Sequence, residues 1–274
     1  MLPDLQKGEN PVSVLCENLC FSFGTVPVLR SISFSAQNGR MVAILGPNGV
    51  GKTTLFRCIL GLSGKYTGTI RIDEENADLL SPKERADRVA YISQVHTLSF
   101  GYSVMDMVLM GTAHSVGVLS QPGKKQTDAA MSALEKLGIG DLHERLFIHL
   151  SGGEQQLVLI ARALAQNAGT LLMDEPTSSL DYGNQNRVLE TVRKLSEDGY
   201  CVLLSTHNPQ HAYWYADDAL ALYQGKVAAF GKPEDVLTAE LIGRLYQMNV
   251  HLIRTESGLL VEPERMPDRR GKHV

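Results

Sequence analysis

The stretch Gly46-Pro47-Asn48-Gly49-Val50-Gly51-Lys52-Thr53, followed by Thr54, constrains this chain more than any other. Its G-x-x-x-x-G-K-[ST] spacing is that of a loop that cradles nucleotide phosphates. Gly46, Gly49 and Gly51 carry no Cβ, so the backbone there can wrap closely round a polyphosphate. The amide N–H groups then converge on phosphate oxygens, helped by the positive end of the helix dipole. Lys52 supplies a point charge for the β and γ phosphates, and the Thr53 hydroxyl is a natural Mg²⁺ ligand. Met41-Val42-Ala43-Ile44-Leu45 before the loop reads as a strand buried on both faces, and residues 54–62 after it carry apolar groups at helical spacing. A plain glycine turn between strand and helix is the bland alternative, but the full pattern in this context favours phosphate binding. The expected fold is α/β.

Composition narrows the partners. A net charge of -4 and a pI near 6.1 give no global sign of a nucleic-acid-binding surface, and no nucleic acid is expected as a partner. Cys16, Cys20, Cys58 and Cys201 show no paired metal spacing and read as free thiols of a reducing compartment. Residues 1–10 hold Asp4, Lys7 and Glu9 with no apolar core, so no secretory leader is expected. The charge-poor region 89–123 is broken only by Asp106, but its Ser, Thr, Gly, Gln and His leave no run of about 20 apolar residues to cross a bilayer. The protein is therefore expected to be soluble, or membrane-bound only through a partner.

Along the chain, residues 12–35 read as paired strands: two short pieces, Val14-Leu15 and Cys20-Phe21-Ser22-Phe23, a turn at Gly24, and Ile32-Ser33-Phe34-Ser35, with Phe23 offering an aromatic face that suits either a purine ring or an ordinary core. Thr69-Ile70-Arg71-Ile72 predicts a further strand, and residues 81–88 a charged helix capped by Ser81-Pro82. Val89-Ala90-Tyr91-Ile92-Ser93 is a strand that delivers Gln94. Residues 104–110 and 128–137 have helical spacing on either side of a Gly/Ser/Pro loop at 117–123, and a helix is expected from Ser151 towards Gln166. Strands follow at 169–175 and 200–206, then a hairpin at 220–227. The expected organisation is a tail at 1–11, a nucleotide-binding domain at 12–231 with a mostly helical insertion at about 94–165, a C-terminal extension at 232–264 and a polar tail at 265–274.

Asp174 and Glu175 end an apolar strand at its carboxyl edge, where open α/β sheets bind ligands. Asp174 suits Mg²⁺, directly or through water. Neighbouring strand residues point to opposite sides, so Glu175 is expected to face a different target and to polarise the water that attacks the γ-phosphate.

The order of motifs resembles the ATP-binding cassette of ABC transporters: the phosphate loop, Gln94, Leu150-Ser151-Gly152-Gly153-Glu154, Leu171-Leu172-Met173-Asp174-Glu175, Ser179-Leu180-Asp181 and His207. The match runs from about residue 12 to residue 231. It implies a P-loop core with a mixed sheet, an N-terminal antiparallel β subdomain and the helical insertion. It implies ATP and Mg²⁺ as ligands, and a homodimer in which each ATP lies between the phosphate loop of one copy and Ser151, Gly152 and Gly153 of the other. By the same resemblance Asp181 sits at the dimer contact, and His207 reaches the γ-phosphate and the attacking water. Gln94 would contact Mg²⁺ or that water and mark the hinge to the insertion. Phe23 stands where the family usually has a tyrosine that stacks on adenine, which keeps the stacking face and loses a hydroxyl.

The resemblance also implies membrane-spanning permease subunits in separate chains, a peripheral place on the cytoplasmic face of the membrane, and an extracytoplasmic substrate-binding protein upstream. Asp181-Tyr182-Gly183-Asn184-Gln185, residues 206–212 and residues 156–165 resemble the importers of iron-siderophore, haem, cobalamin and related metal chelates, and molybdate-type relatives nearly as well. A soluble cassette ATPase for iron–sulfur assembly and a non-catalytic scaffold are the other classes; Lys52, Asp174, Glu175 and His207 argue against the scaffold. Leu98, Phe100, Tyr102, Val104, Met105, Met107, Val108 and Leu109 are apolar beyond what one short helix buries. About half are expected in the core, and the rest in a groove that receives a permease helix.

Overall fold

The computed structural model describes residues 11–93, 101–115, 122–255 and 258–264. Two sheets carry the fold. The first is antiparallel, with β1 (Val12–Phe23), β2 (Val26–Gln37), β4 (Thr67–Ile72) and β5 (Glu75–Asn76) in the order β2-β1-β4-β5. The second holds β3 (Met41–Leu45), β6 (Val89–Ile92), β7 (Thr170–Asp174), β8 (Cys201–Thr206), β9 (Asp218–Tyr223) and β10 (Lys226–Gly231), in the order β10-β9-β3-β8-β7-β6. Its strands are parallel from β9 to β6, and β10 closes the edge antiparallel to β9. The sheet is therefore mixed.

Burial on both faces explains the near-continuous apolar strands. In β7, Leu172 joins a core shared with β1, β2 and α1 (Lys52–Ile59), while Leu171 and Met173 join the helical side. In β8, Cys201 and Leu203 face the first core and Val202 and Leu204 the second. A period of two with apolar residues at every position is what a strand needs between two packed layers. Cys16 and Cys201 are fully buried free thiols, and burial pushes the Cys201 pKa up to about 12, which makes it inert at neutral pH.

Between β6 and β7 come α3 (Val104–Leu109), α4 (Lys124–Lys136) and α5 (Gly152–Ala165), which pack together on the second core with α6 (Tyr182–Glu197). Among the described residues, three helices open with the same reciprocal side-chain cap: Ser81/Glu84 before α2 (Pro82–Ala86), Ser103/Asp106 before α3 and Ser151/Glu154 before α5. Each satisfies two orphan amides and contributes on the order of 1 kcal/mol.

Two expectations change. β1 is one long bulged strand, where the sequence suggests two short pieces. α4 begins at Lys124, ahead of the expected 128, because polar residues that break the apolar pattern still form a solvated first turn. α7 (Pro209–Tyr215) packs on a third core against β3 and β9 together with two helices of the C-terminal extension, α8 (Pro233–Val236) and α9 (Ala239–Tyr246), and β11 (Val250–Thr255) pairs with β12 (Gly258–Pro263). The hairpin at 220–227 is thus followed by another. Among the described residues, no helix is long and apolar enough to cross a membrane.

Candidate functional site

The carboxyl ends of β3, β8 and β7 lie side by side, with Leu45 opposite Thr206 and Ser205 opposite Asp174. The phosphate loop leaves β3 here and enters α1. At Gly51, the residue before the helix, φ is 113°, and a Cβ would stand 2.8 Å from Leu29 Cδ2. At Gly46, φ is 152° and a Cβ would stand 2.5 Å from the Leu222 carbonyl oxygen. Any side chain at either position collides with its neighbours. Lys52, only 5% exposed, folds back into the loop and donates to Gly46 O at 2.8 Å and Pro47 O at 3.4 Å. Its Nζ also lies 3.3 Å from Glu175 Oε1. A buried ammonium held by carbonyls and one carboxylate is a cation positioned for an anionic ligand.

Asp174 is 2% exposed, and its carboxylate is satisfied by donors. Thr53 Oγ1 donates to Oδ2 at 2.6 Å, Ser205 Oγ to Oδ1 at 2.6 Å and Tyr91 OH to Oδ2 at 3.3 Å. Burial, with Asp174 beside it, pushes the Tyr91 phenol up to about 12, so the phenol stays a donor. The adjoining Thr53 hydroxyl and Asp174 carboxylate fit Mg²⁺, which takes one or two protein oxygens and completes its shell with phosphates and water.

The strand-alternation rationale for Glu175 does not hold. β7 ends at Asp174, and Glu175 adopts a left-handed backbone with φ 48°, a conformation that costs a non-glycine residue on the order of 1 kcal/mol or more. A turn, not the strand, aims this side chain. Ser205 holds the turn by accepting the Glu175 amide at 2.9 Å with the same hydroxyl that donates to Asp174. The two Glu175 oxygens reach Lys52 at 3.3 Å and His207 Nδ1 at 3.4 Å.

Glu175 stands between two recesses. A cavity of about 330 Å³ is lined by Phe23, Val28, Asn48, Gly49, Gly51, Lys52, Thr53, Thr54 and Glu175. Phe23 is 55% exposed at this cavity and meets Phe21 edge to face at 4.9 Å. A second recess of about 40 Å³ is lined by Glu175, Thr177, Ser178, Gln185, Thr206, His207, Asn208 and His211, above the roughly 10–15 Å³ that a water molecule needs.

Ser151, Gly152, Gly153 and Asp181 gather elsewhere; none is among the residues lining either recess. Ser151 caps α5, and a Cβ on Gly153 would stand 2.4 Å from Asn184 Oδ1. Asn184 in turn donates from its backbone and side chain to Asp181 at 2.9 and 2.7 Å, which holds the Asp181 carboxyl below the usual carboxylate range. The two motifs form one surface through Asn184. Pro47 and Val50 complete the loop, with Val50 N donating to Pro47 O at 3.3 Å. Gln94 lies outside the described residues, as do Leu98 and Phe100. Of the remaining apolar residues near α3, Val104, Met107 and Val108 are fully buried, and Tyr102, Met105 and Leu109 pack half-buried on the same core.

Sequence reasoning missed Ser205, Tyr91 and Asn184. Ser205 carried a faint signal, a polar pair closing an apolar strand; Tyr91 and Asn184 carried none, since their roles depend on partners distant in the chain.

A sequence profile of the family described as ABC transporter matches residues 29–178. Among curated proteins, the manganese transport system ATP-binding protein MntB of Bacillus subtilis is 36% identical over 84% of this chain and 90% of its own length. The hemin import ATP-binding protein HmuV of Rhodococcus jostii is 34% identical over 93% of this chain and 87% of its own. Among solved structures, an inward-facing ABC transporter described as metal-chelate type superposes with a TM-score of 0.81 at 30% identity, over 93% of this chain and 98% of that one. With the phosphate loop, the paired carboxylates and the Ser151 helix start built into one mixed-sheet core, this chain belongs to the ABC transporter family and carries its ATP-hydrolysing cassette.

Proposed function

We propose that this protein is the ATPase subunit of an importer for a metal chelate, an iron-siderophore, haem, cobalamin or a related complex, and that it works as a homodimer on the cytoplasmic face of the membrane beneath separate permease subunits. Relatives that import hemin, and a metal-chelate transporter of the same fold, support the cargo class. The manganese relative favours a second reading, the bare metal ion as cargo. The domain limits expected above, with the insertion at about 94–165, belong to the same proposal.

The observation that carries the catalytic reading is the continuous line Lys52–Glu175–His207 between the two recesses. ATP enters the larger cavity with its base on the Phe23 ring and its phosphates in the loop from Gly46 to Thr54. Lys52 exchanges the Gly46 carbonyl and Glu175 for phosphate oxygens. Thr53 and Asp174, with Gln94 as a further contact, would hold Mg²⁺, which would neutralise phosphate charge. Glu175 then orients and deprotonates a water beside the γ-phosphate, with His207 donating to that phosphate. Ser151, Gly152 and Gly153 of a second copy offer the start of α5 to the γ-phosphate, and Asp181 meets the partner's loop. The separation of this surface from both recesses within one chain agrees with a site completed in trans.

Glu175→Gln tests the reading. It should keep Mg²⁺-ATP binding, lose turnover by about a hundredfold or more, and give a dimer by size exclusion with light scattering. Lys52→Ala should weaken ATP binding and give no dimer. A Glu175→Gln protein that hydrolyses ATP normally as a monomer overturns the assignment. Uptake of haem, a ferric siderophore, cobalamin or Mn²⁺ into vesicles carrying the cognate permease decides the cargo.

A further inference from the structure

α9 ends beside the phosphate loop. Its Leu241, Ile242 and Leu245 are buried with Ala43 and Leu45 of β3 and Ala219 and Ala221 of β9, and the Tyr246 ring packs on the same cluster. Leu45 directly precedes Gly46, so this packing brings the last residue of α9 to the root of the loop. The Tyr246 hydroxyl is buried, and its O–H finds no hydrogen-bond acceptor among the described residues. Burial pushes the phenol's pKa up, the Gly46 backbone amide draws it down, and the nearby Glu175 carboxylate raises it. The phenol therefore stays protonated, an O–H donor buried at the root of the loop beside Gly46 and within electrostatic reach of Glu175.

A buried donor without an acceptor is destabilising, so its persistence calls for a state in which it is used. Glu175 supplies that state. Its side chain is 10% exposed and faces Lys52 at 3.3 Å and His207 at 3.4 Å. Incoming phosphates draw Lys52 away, and the buried carboxylate loses one cationic neighbour at the moment when its orientation decides turnover. We propose that Tyr246 is a positioning residue for hydrolysis, its O–H closing onto the Glu175 carboxylate when Lys52 moves to the nucleotide. This rests on the reading of Glu175 as the base. The C-terminal segment is anchored for such a role. Tyr213 OH of α7 donates to Leu237 O just before α9. Gln210 of α7 donates to Leu259 O at 2.6 Å and accepts from Val261 N at 2.8 Å, clamping β12 to the helix that follows His207. Residues beyond 231 thereby pack at the root of the loop and against the helix that follows His207.

The test is Tyr246→Phe, which keeps the ring and removes only the hydroxyl. Steady-state kinetics should show kcat reduced about tenfold, which is about 1.4 kcal/mol in the barrier, with KM and the ATP dissociation constant within twofold of wild type. The melting temperature should hold or rise. Added to Glu175→Gln, Tyr246→Phe should change the residual turnover less than twofold, since the group it orients is gone. A wild-type kcat in Tyr246→Phe beside an inactive Glu175→Gln overturns the Tyr246 inference and leaves the base intact. The full tenfold loss repeated in the Glu175→Gln background, or a kcat loss matched by a lower melting temperature, also overturns it. Normal turnover in Glu175→Gln alone removes the base and this inference together.

Discussion

Ser205→Ala should damage this protein more than its single missing oxygen suggests. The hydroxyl is fully buried, donates to Asp174 Oδ1 at 2.6 Å and accepts the Glu175 amide at 2.9 Å. Losing a hydrogen bond to a buried charge costs about 1.5–3 kcal/mol, and orphaning a buried amide about 1–3 kcal/mol. Asp174 keeps Thr53 and Tyr91 as donors, so the lower halves of these ranges apply, and a total of about 3 kcal/mol follows. For a chain of this size that corresponds to a melting temperature lower by about 5 °C. Ser196→Ala is the control: Ser196 is equally buried but makes one neutral bond, to Arg193 O at 2.7 Å, and should cost about 1 kcal/mol. Because Ser205 also pins the left-handed turn at Glu175, kcat should fall about tenfold while ATP affinity changes little. Urea and thermal unfolding of both variants, with ATPase kinetics, provide the readouts. A Ser205→Ala protein that melts within 2 °C of Ser196→Ala, with kcat within about twofold of wild type, refutes the bridging argument.

Gly153→Ala places a Cβ 2.4 Å from Asn184 Oδ1 and should loosen the hold of Asn184 on Asp181; steady-state turnover should drop about tenfold with ATP affinity unchanged, and unaltered turnover contradicts the shared surface. Ser151→Arg should block hydrolysis while its own loop still binds ATP. Mixed with Lys52→Ala chains, it should recover partial activity in heterodimers, and heterodimers that form but stay inactive count against sites made in trans. His211 is buried, and burial followed by the neighbouring His207 lowers its pKa to about 4 from an ordinary 6.5. Both folded and unfolded states hold it neutral above pH 6.5, so no penalty exists there; as pH falls from 6.5 towards 4 the unfolded state takes up the proton first, and stability drops. His211→Gln should therefore lose about 2 kcal/mol less than wild type over that window in urea titrations, and parallel pH profiles would show that His211 contributes nothing.

The phosphate loop, the strand before it, the helix after it and the capped start of α5 were legible in the sequence because each is a local device. A glycine pattern, an apolar run and a Ser-x-x-Glu cap state their geometry within a few residues. The resemblance of the ordered motifs to the ABC cassette supplied the family. Alternation along a strand failed at Glu175, because a left-handed turn after Asp174 replaces the strand one residue earlier than the apolar pattern shows. The hydropathy of residues 102–109 could not separate a core from a docking face, since burial depends on what packs above the helix, and here α5 does.

Only the tertiary structure decided which side chains meet. Thr53 and Asp174 are 121 residues apart, Asp174 and Ser205 are 31 apart, and Tyr246 reaches the loop from a segment with no motif at all. Those meetings follow from the strand order β9-β3-β8-β7, which gathers distant carboxyl ends at one edge. Sequence patterns encode the conformation of a segment through its own backbone sterics and burial, whereas the partner of a polar side chain is set by sheet order and register, and these are settled by how all the layers pack together.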